Sequence, residues 1–236
     1  MNYRGILRSA VPLSTNGILI AIAAITVAGT PLRAQSDAST WDRTCIPVAE
    51  RAGRKTGCFI TAREELGPLA SEPKLYWHLD TYPTRAAAEK ARASRSTVVE
   101  SVGKIWLFTI ARADWRPRGG KRVARIGPLA LINADKFAAV YMEGVFEPGM
   151  NTIVHRHPGV EAWYTLEGAQ CVETPEGKQE QHAGDPGLMV RGGLPMRLTG
   201  IGTGIRRSVV LILQDATKPR SMLATDWTPL NLCAPK

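Results

Sequence analysis

Two histidines and a glutamate stand close together in residues 149–168, Gly-Met-Asn-Thr-Ile-Val-His-Arg-His-Pro-Gly-Val-Glu-Ala-Trp-Tyr-Thr-Leu-Glu-Gly. In an extended strand, residues i and i+2 point to one face, so His155 and His157 would aim both imidazoles at the same place. Pro158-Gly159 turns the chain, and Glu161 can then return on the next strand with a carboxylate. Two imidazoles and one carboxylate, with coordination positions left over, are a ligand set for a catalytic divalent metal. A divalent transition metal is the expected cofactor; these ligands do not choose among iron, manganese, zinc and copper.

The spacing Gly-x5-His-x-His-x3-Glu-x6-Gly, carried by Gly149, His155, His157, Glu161 and Gly168, resembles the first conserved motif of the cupin superfamily. The resemblance implies a mainly β fold, the cupin double-stranded β-helix or jelly-roll barrel. It implies less about chemistry, because cupins include enzymes, binders and storage proteins. A cupin's second motif ordinarily ends in Pro-His, and that histidine completes the metal site. Here the corresponding run is Gly184-Asp-Pro-Gly-Leu-Met-Val-Arg-Gly-Gly-Leu-Pro-Met196, with Arg191 where proline is expected and Met196 in place of the histidine. A thioether is a soft ligand that suits copper far better than manganese or magnesium. Met196 therefore stands as an apolar lid, a weak fourth ligand beside His155, His157 and Glu161, or a mark of lost metal binding. A buried carboxylate with two imidazoles would be costly without a partner, which favours a retained metal.

The elements that must position these residues are short strands. From about residue 121 to the carboxyl end, strands are expected at Phe137–Phe146, Thr152–His157, Glu161–Leu166, Lys178–His182, Met196–Thr199 and Arg206–Leu213, divided by Gly/Pro turns. Regular short strands with such turns suggest a sandwich or barrel. Ahead of it, residues 35–120 read as a small α+β extension. Lys74–Asp80 and Lys104–Ile110 are strand patterns, and Arg85–Ala93 is a helix capped by Thr84. Residues 36–72 are expected to be irregular. By alternation, Trp163 shares the parity of Glu161 and would line the pocket, with Tyr164 facing away. His182 is expected on the surface, as are Arg191 and Arg197 unless an anionic substrate draws them to the barrel mouth. His78 reads as a surface or packing histidine.

The amino terminus has the layout of a secretory signal peptide: Arg4 and Arg8, an apolar run from Ile18 to Ala28, and a break before Gln35. The run is too short for a membrane span, which needs about 18 apolar residues, so no stable membrane insertion is expected after cleavage near Ala34. Removing residues 1–34 takes away Arg4, Arg8 and Arg33 and no acid, lowering the net charge from +9 to +6. The remaining basic residues are scattered, without the clustered footprint of a nucleic-acid binder. Cys45, Cys58, Cys171 and Cys233 all lie beyond the leader, and an even count in an exported chain suggests disulfides. Of three connectivities, Cys45–Cys58 with Cys171–Cys233 is favoured because the first pair is local.

These features predict a periplasmic or secreted protein that binds a divalent metal and a small-molecule ligand in its barrel. As an enzyme it would be of dioxygenase or isomerase type. The alternative is a non-catalytic small-molecule binding or sensing cupin without metal. The resemblance also implies pairing as a homodimer, since cupins often associate through their sheets.

Overall fold

The computed structural model describes residues 45–69 and 74–233; the segment read from the sequence as a signal peptide, with the rest of the chain before Cys45, lies outside them. Fifteen strands are formed within this range. The first three are β1 (Cys45–Pro47), β2 (Gly57–Gly67) and β3 (Leu75–Tyr82). A short helix α1 (Arg85–Lys90) then leads to β4 (Ser96–Ser101), β5 (Lys104–Arg112) and β6 (Lys121–Ile126). The motif half holds β7 (Phe137–Phe146), β8 (His155–Arg156), β9 (Gly159–Glu167), β10 (Ala169–Thr174) and β11 (Gly177–His182). It closes with β12 (Leu188–Val190), β13 (Arg197–Ile201), β14 (Arg206–Asp215) and β15 (Met222–Leu223).

The central sheet has the order β1-β2-β7-β14-β9-β12, and a three-stranded sheet, β11-β10-β13, lies opposite its inner face. Alternation explains why. Val140, Met142 and Phe146 of β7, Trp163 of β9 and Val210 and Ile212 of β14 share one cluster with Val172 of β10 and Leu198 of β13. The intervening residues of the same strands, including Ala139, Tyr141, Ala162, Val209 and Leu211, face the other way. They pack against Trp77, Leu79, Phe108 and Ile110 of a four-stranded sheet ordered β4-β5-β3-β6. The central sheet is thus covered on both faces, which is why all ten residues of β7 are buried and why its sequence is a nearly continuous apolar run. At roughly 1.5–3 kcal/mol for each large apolar side chain buried, these two clusters supply the main drive to fold. The fold is mainly β, a jelly-roll barrel.

Three expectations need correction. Residues 57–67 are not irregular: β2 pairs with β7 over nearly its whole length. Beyond the three residues matched by β1 it is an edge, and charged Arg63, Glu64 and Glu65 suit an edge that must not recruit other strands. The helix stops at Lys90, although Thr84 caps it as expected, its Oγ1 accepting from the Ala87 amide at 3.2 Å. The strand expected at Thr152–His157 shrinks to His155–Arg156, paired with β15. Both expected disulfides, Cys45–Cys58 and Cys171–Cys233, are formed. Among the described residues, no helix is long and apolar enough to cross a membrane.

Candidate metal centre

His155, His157 and Glu161 come together as the spacing predicts, although through a bend more than a strand. His155 is held by β8 and by a two-way backbone bridge to Met196, N to O at 3.1 and 2.8 Å. Pro158 then turns the chain into β9, and Glu161 lies on that strand's inner face beside Trp163. Gly159 opens β9 where β14 runs closest; a Cβ there would stand 2.0 Å from the Leu213 carbonyl oxygen. At the far end Gly168 takes φ +65°, a left-handed conformation that glycine adopts without penalty. Both glycines therefore serve the geometry that delivers Glu161.

The ligand atoms of the three side chains lie within 4.8 Å of one another, and all three residues are buried. The two imidazole rings sit edge to face, 4.9 Å between centroids. Each imidazole is oriented by its other nitrogen. His155 Nδ1–H donates to the Ile153 carbonyl at 2.8 Å, and His157 Nδ1–H donates to the Arg220 carbonyl at 2.6 Å. Such outer bonds fix the tautomer and turn the Nε2 lone pairs toward the centre. Burial, with His157 beside it, pushes the pKa of His155 down to about 4. Burial works the same way on His157, but the adjacent Glu161 carboxylate outweighs it and raises the value.

A divalent cation fits this group. His157 Nε2 and Glu161 Oε2 are 2.9 Å apart, yet both are closed to solvent and neither has a hydrogen-bond partner. The contact is close without hydrogen-bond alignment, as expected of two donors aimed at one ion. The three side chains line a cavity of about 250 Å³ whose wall is mostly apolar, including Met142, Phe146, Trp163 and Val210. The Cys45–Cys58 disulfide forms part of that wall.

The remaining residues singled out in the sequence are accounted for. Met196 is opposite His155 in an antiparallel bridge, so the two side chains lie on the same face. Met196 is 1% exposed within the inner apolar cluster and does not line the cavity. Trp163 does line it, while Tyr164 packs against the outer cluster. His182 is exposed. Arg191 pairs with Glu176 at 2.7 Å on the surface, and Arg197 pairs with buried Glu173 at 3.0 Å and with Asn231. His78 is fully buried in the other sheet, its Nε2–H donating to the Arg112 carbonyl at 2.9 Å.

One cavity residue was not singled out. Arg206, at the start of β14, is 2% exposed and lines the same space as Glu161. Burial lowers its pKa to about 9, against the pull of Glu161, so it remains charged at neutral pH. Parity with Val210 and Ile212 is the signal that could have found it.

No protein-family model matches the chain, and no curated protein does. Solved structures similar to it include cupin superfamily proteins. One is a cupin superfamily protein from Desulfitobacterium hafniense, 18% identical over 33% of this chain and 68% of that one, with a TM-score of 0.30. A DMSP lyase from Ruegeria pomeroyi is 16% identical over 36% of this chain, at a TM-score of 0.33. A protein with a double-stranded β-helix domain from Klebsiella pneumoniae is 20% identical over 47% of this chain and 84% of that one, at 0.33. The chain spans 43% of the lyase's length. At such identities and TM-scores the likeness carries no activity across.

Proposed function

We propose that this chain is an exported, cupin-type metalloprotein that holds one divalent transition metal through His155 Nε2, His157 Nε2 and the Glu161 carboxylate, and acts on a small molecule bound in the barrel. The observation that carries this reading is the buried 2.9 Å approach of His157 Nε2 to Glu161 Oε2 with neither atom hydrogen-bonded. Without a metal ion, or a proton on His157, between the two atoms, that arrangement would bury polar groups at a cost of several kcal/mol. Met196 backs His155 as packing and leaves three protein ligands, the number at which catalytic sites keep positions open for substrate.

A bound divalent metal would supply Lewis-acid or oxygen-activating chemistry at the cavity wall. The rest is the work of the protein. The carbonyls of Ile153 and Arg220 hold the two imidazoles in their ligating tautomer. Trp163, Phe146 and Met142 exclude water and shape the space for an organic body. The two disulfides support an oxidising compartment, the periplasm or the cell exterior.

Metal content of the protein purified from the periplasm or medium, measured by plasma mass spectrometry, tests this. About one equivalent in the wild type and less than a tenth in His157→Ala is the expected result. Less than about a tenth of an equivalent in both, after exposure to iron, manganese, zinc and copper in turn, would overturn it.

A further inference from the structure

Arg206 sits opposite Phe146 in the β14–β7 ladder, on the face that lines the cavity. Its Nε and Nη2 are shut off from solvent and find no hydrogen-bond partner in the protein. Its Cζ stands 5.3 Å from the centroid of the Phe146 ring. This differs from the fate of other partly buried arginines: Arg51, Arg122 and Arg197 lie against the carboxylates of Glu143, Asp80 and Glu173 at 2.7, 2.6 and 3.0 Å. A guanidinium cannot escape the cost of burial by losing its proton at neutral pH, so a fully buried one with two unmet donors points to a partner that arrives from outside.

The geometry of those donors narrows the partner. Nε–H and one Nη2–H form a single edge of the guanidinium fork, with parallel directions that match the two oxygens of a carboxylate. Space for that end of the side chain comes from Gly144, the inward residue of β7 next to Phe146. A Cβ there would be 2.4 Å from Arg206 Nη1, so glycine lets the guanidinium turn toward a ligand. Glu161 and Arg206 are the charged side chains of the cavity wall. One cation beside a metal-binding centre suits one anionic group rather than a phosphate dianion, which draws several donors. The volume of about 250 Å³ is below the range of roughly 300–1,000 Å³ for larger ligands.

We infer that Arg206 is the substrate-anchoring cation of this cavity and that the substrate is a small organic monocarboxylate, its carboxylate on the Nε/Nη2 edge and its apolar body along Phe146, Trp163 and Val210 toward His155, His157 and Glu161. The direction in which the body extends rests on the proposed function; the carboxylate contact does not need the metal.

Titration calorimetry with butyrate and its neutral isostere butyramide tests the assignment, on metal-loaded and on chelator-treated protein. In both forms the wild type should bind butyrate at least tenfold more tightly than butyramide. That preference should fall below threefold in Arg206→Met and in Gly144→Ala, and survive in part in Arg206→Lys. Equal affinity for the two probes in chelator-treated wild type, or an undiminished preference in folded Arg206→Met, would overturn the proposal. If Arg206→Met fails to fold, the wild-type ratio and Gly144→Ala decide the matter. A butyrate preference in protein that takes up no metal after exposure to iron, manganese, zinc and copper in turn would leave Arg206 standing and remove the metal reading; one metal equivalent with no preference would do the reverse.

Discussion

His157 Nε2 approaches Glu161 Oε2 to 2.9 Å inside the barrel, four residues apart in sequence and joined through the bend at Pro158. The other nitrogen of His157 is already committed to the Arg220 carbonyl, so this contact is where the pair can share an ion. Removing the charge of Glu161 while keeping its shape should therefore weaken metal binding. Glu161→Gln is expected to lose at least a hundredfold in affinity, about 2.7 kcal/mol, in competition against a chromophoric chelator. An unchanged affinity would place the metal elsewhere.

The Cys171–Cys233 bridge ties β10 to the carboxyl-terminal segment across 62 residues of sequence. Closing a loop of that length should stabilise the fold by about 4 kcal/mol through the unfolded state, against about 3 kcal/mol for the 13-residue separation of Cys45–Cys58. Paired Cys→Ser variants compared by urea denaturation should show the larger loss for Cys171/Cys233. The opposite order would mean that the tail bridge adds little to the folded domain.

Much of this arrangement was legible in the chain, and the reasons are physical. The run Phe137–Phe146 is apolar at nearly every position because both faces of β7 are covered, and its bounds could be read directly. The spacing of His155, His157 and Glu161 pointed to one site because few other arrangements bring those three types so close. β2 was missed because most of it lies at an edge, where Arg63, Glu64 and Glu65 hide the alternation of Phe59 and its neighbours. Arg206 was missed because Arg206-Arg207 looks like a solvated basic pair ahead of an apolar strand. Only the fold separates them, sending Arg206 inward and Arg207 out to Glu167 at 3.0 Å.

His78 should make stability depend on acid. Burial, and then the charge of Arg122, lower its pKa from 6.5 to about 4, so between those values the unfolded chain binds a proton that the folded chain refuses. Its contribution is complete above pH 6.5 and is lost as pH falls through about 4, in all roughly 3 kcal/mol. In His78→Gln, which can still donate to the Arg112 carbonyl, stability should fall less steeply between pH 6 and pH 4.5, by about 1.4 kcal/mol per pH unit. Parallel curves for the two proteins would show that His78 does not titrate in this way.

Arg197 holds down Glu173, whose side chain is fully buried. Arg197→Met would strand that carboxylate and should cost roughly 3–5 kcal/mol in stability. Adding Glu173→Gln should recover part of the loss, since the uncompensated charge is then gone. Additive losses in the double variant would assign Arg197 a packing role alone.

The central claim is that His155, His157 and Glu161 together hold one divalent metal. Anomalous diffraction from crystals of the metal-loaded protein tests it most directly, with data collected on either side of the metal's absorption edge. The expected result is a single strong peak about 2.0–2.2 Å from His155 Nε2, His157 Nε2 and a Glu161 oxygen, absent in His157→Ala. A fully occupied peak at another set of residues, or no peak in crystals whose protein carries one equivalent in solution, would contradict the account.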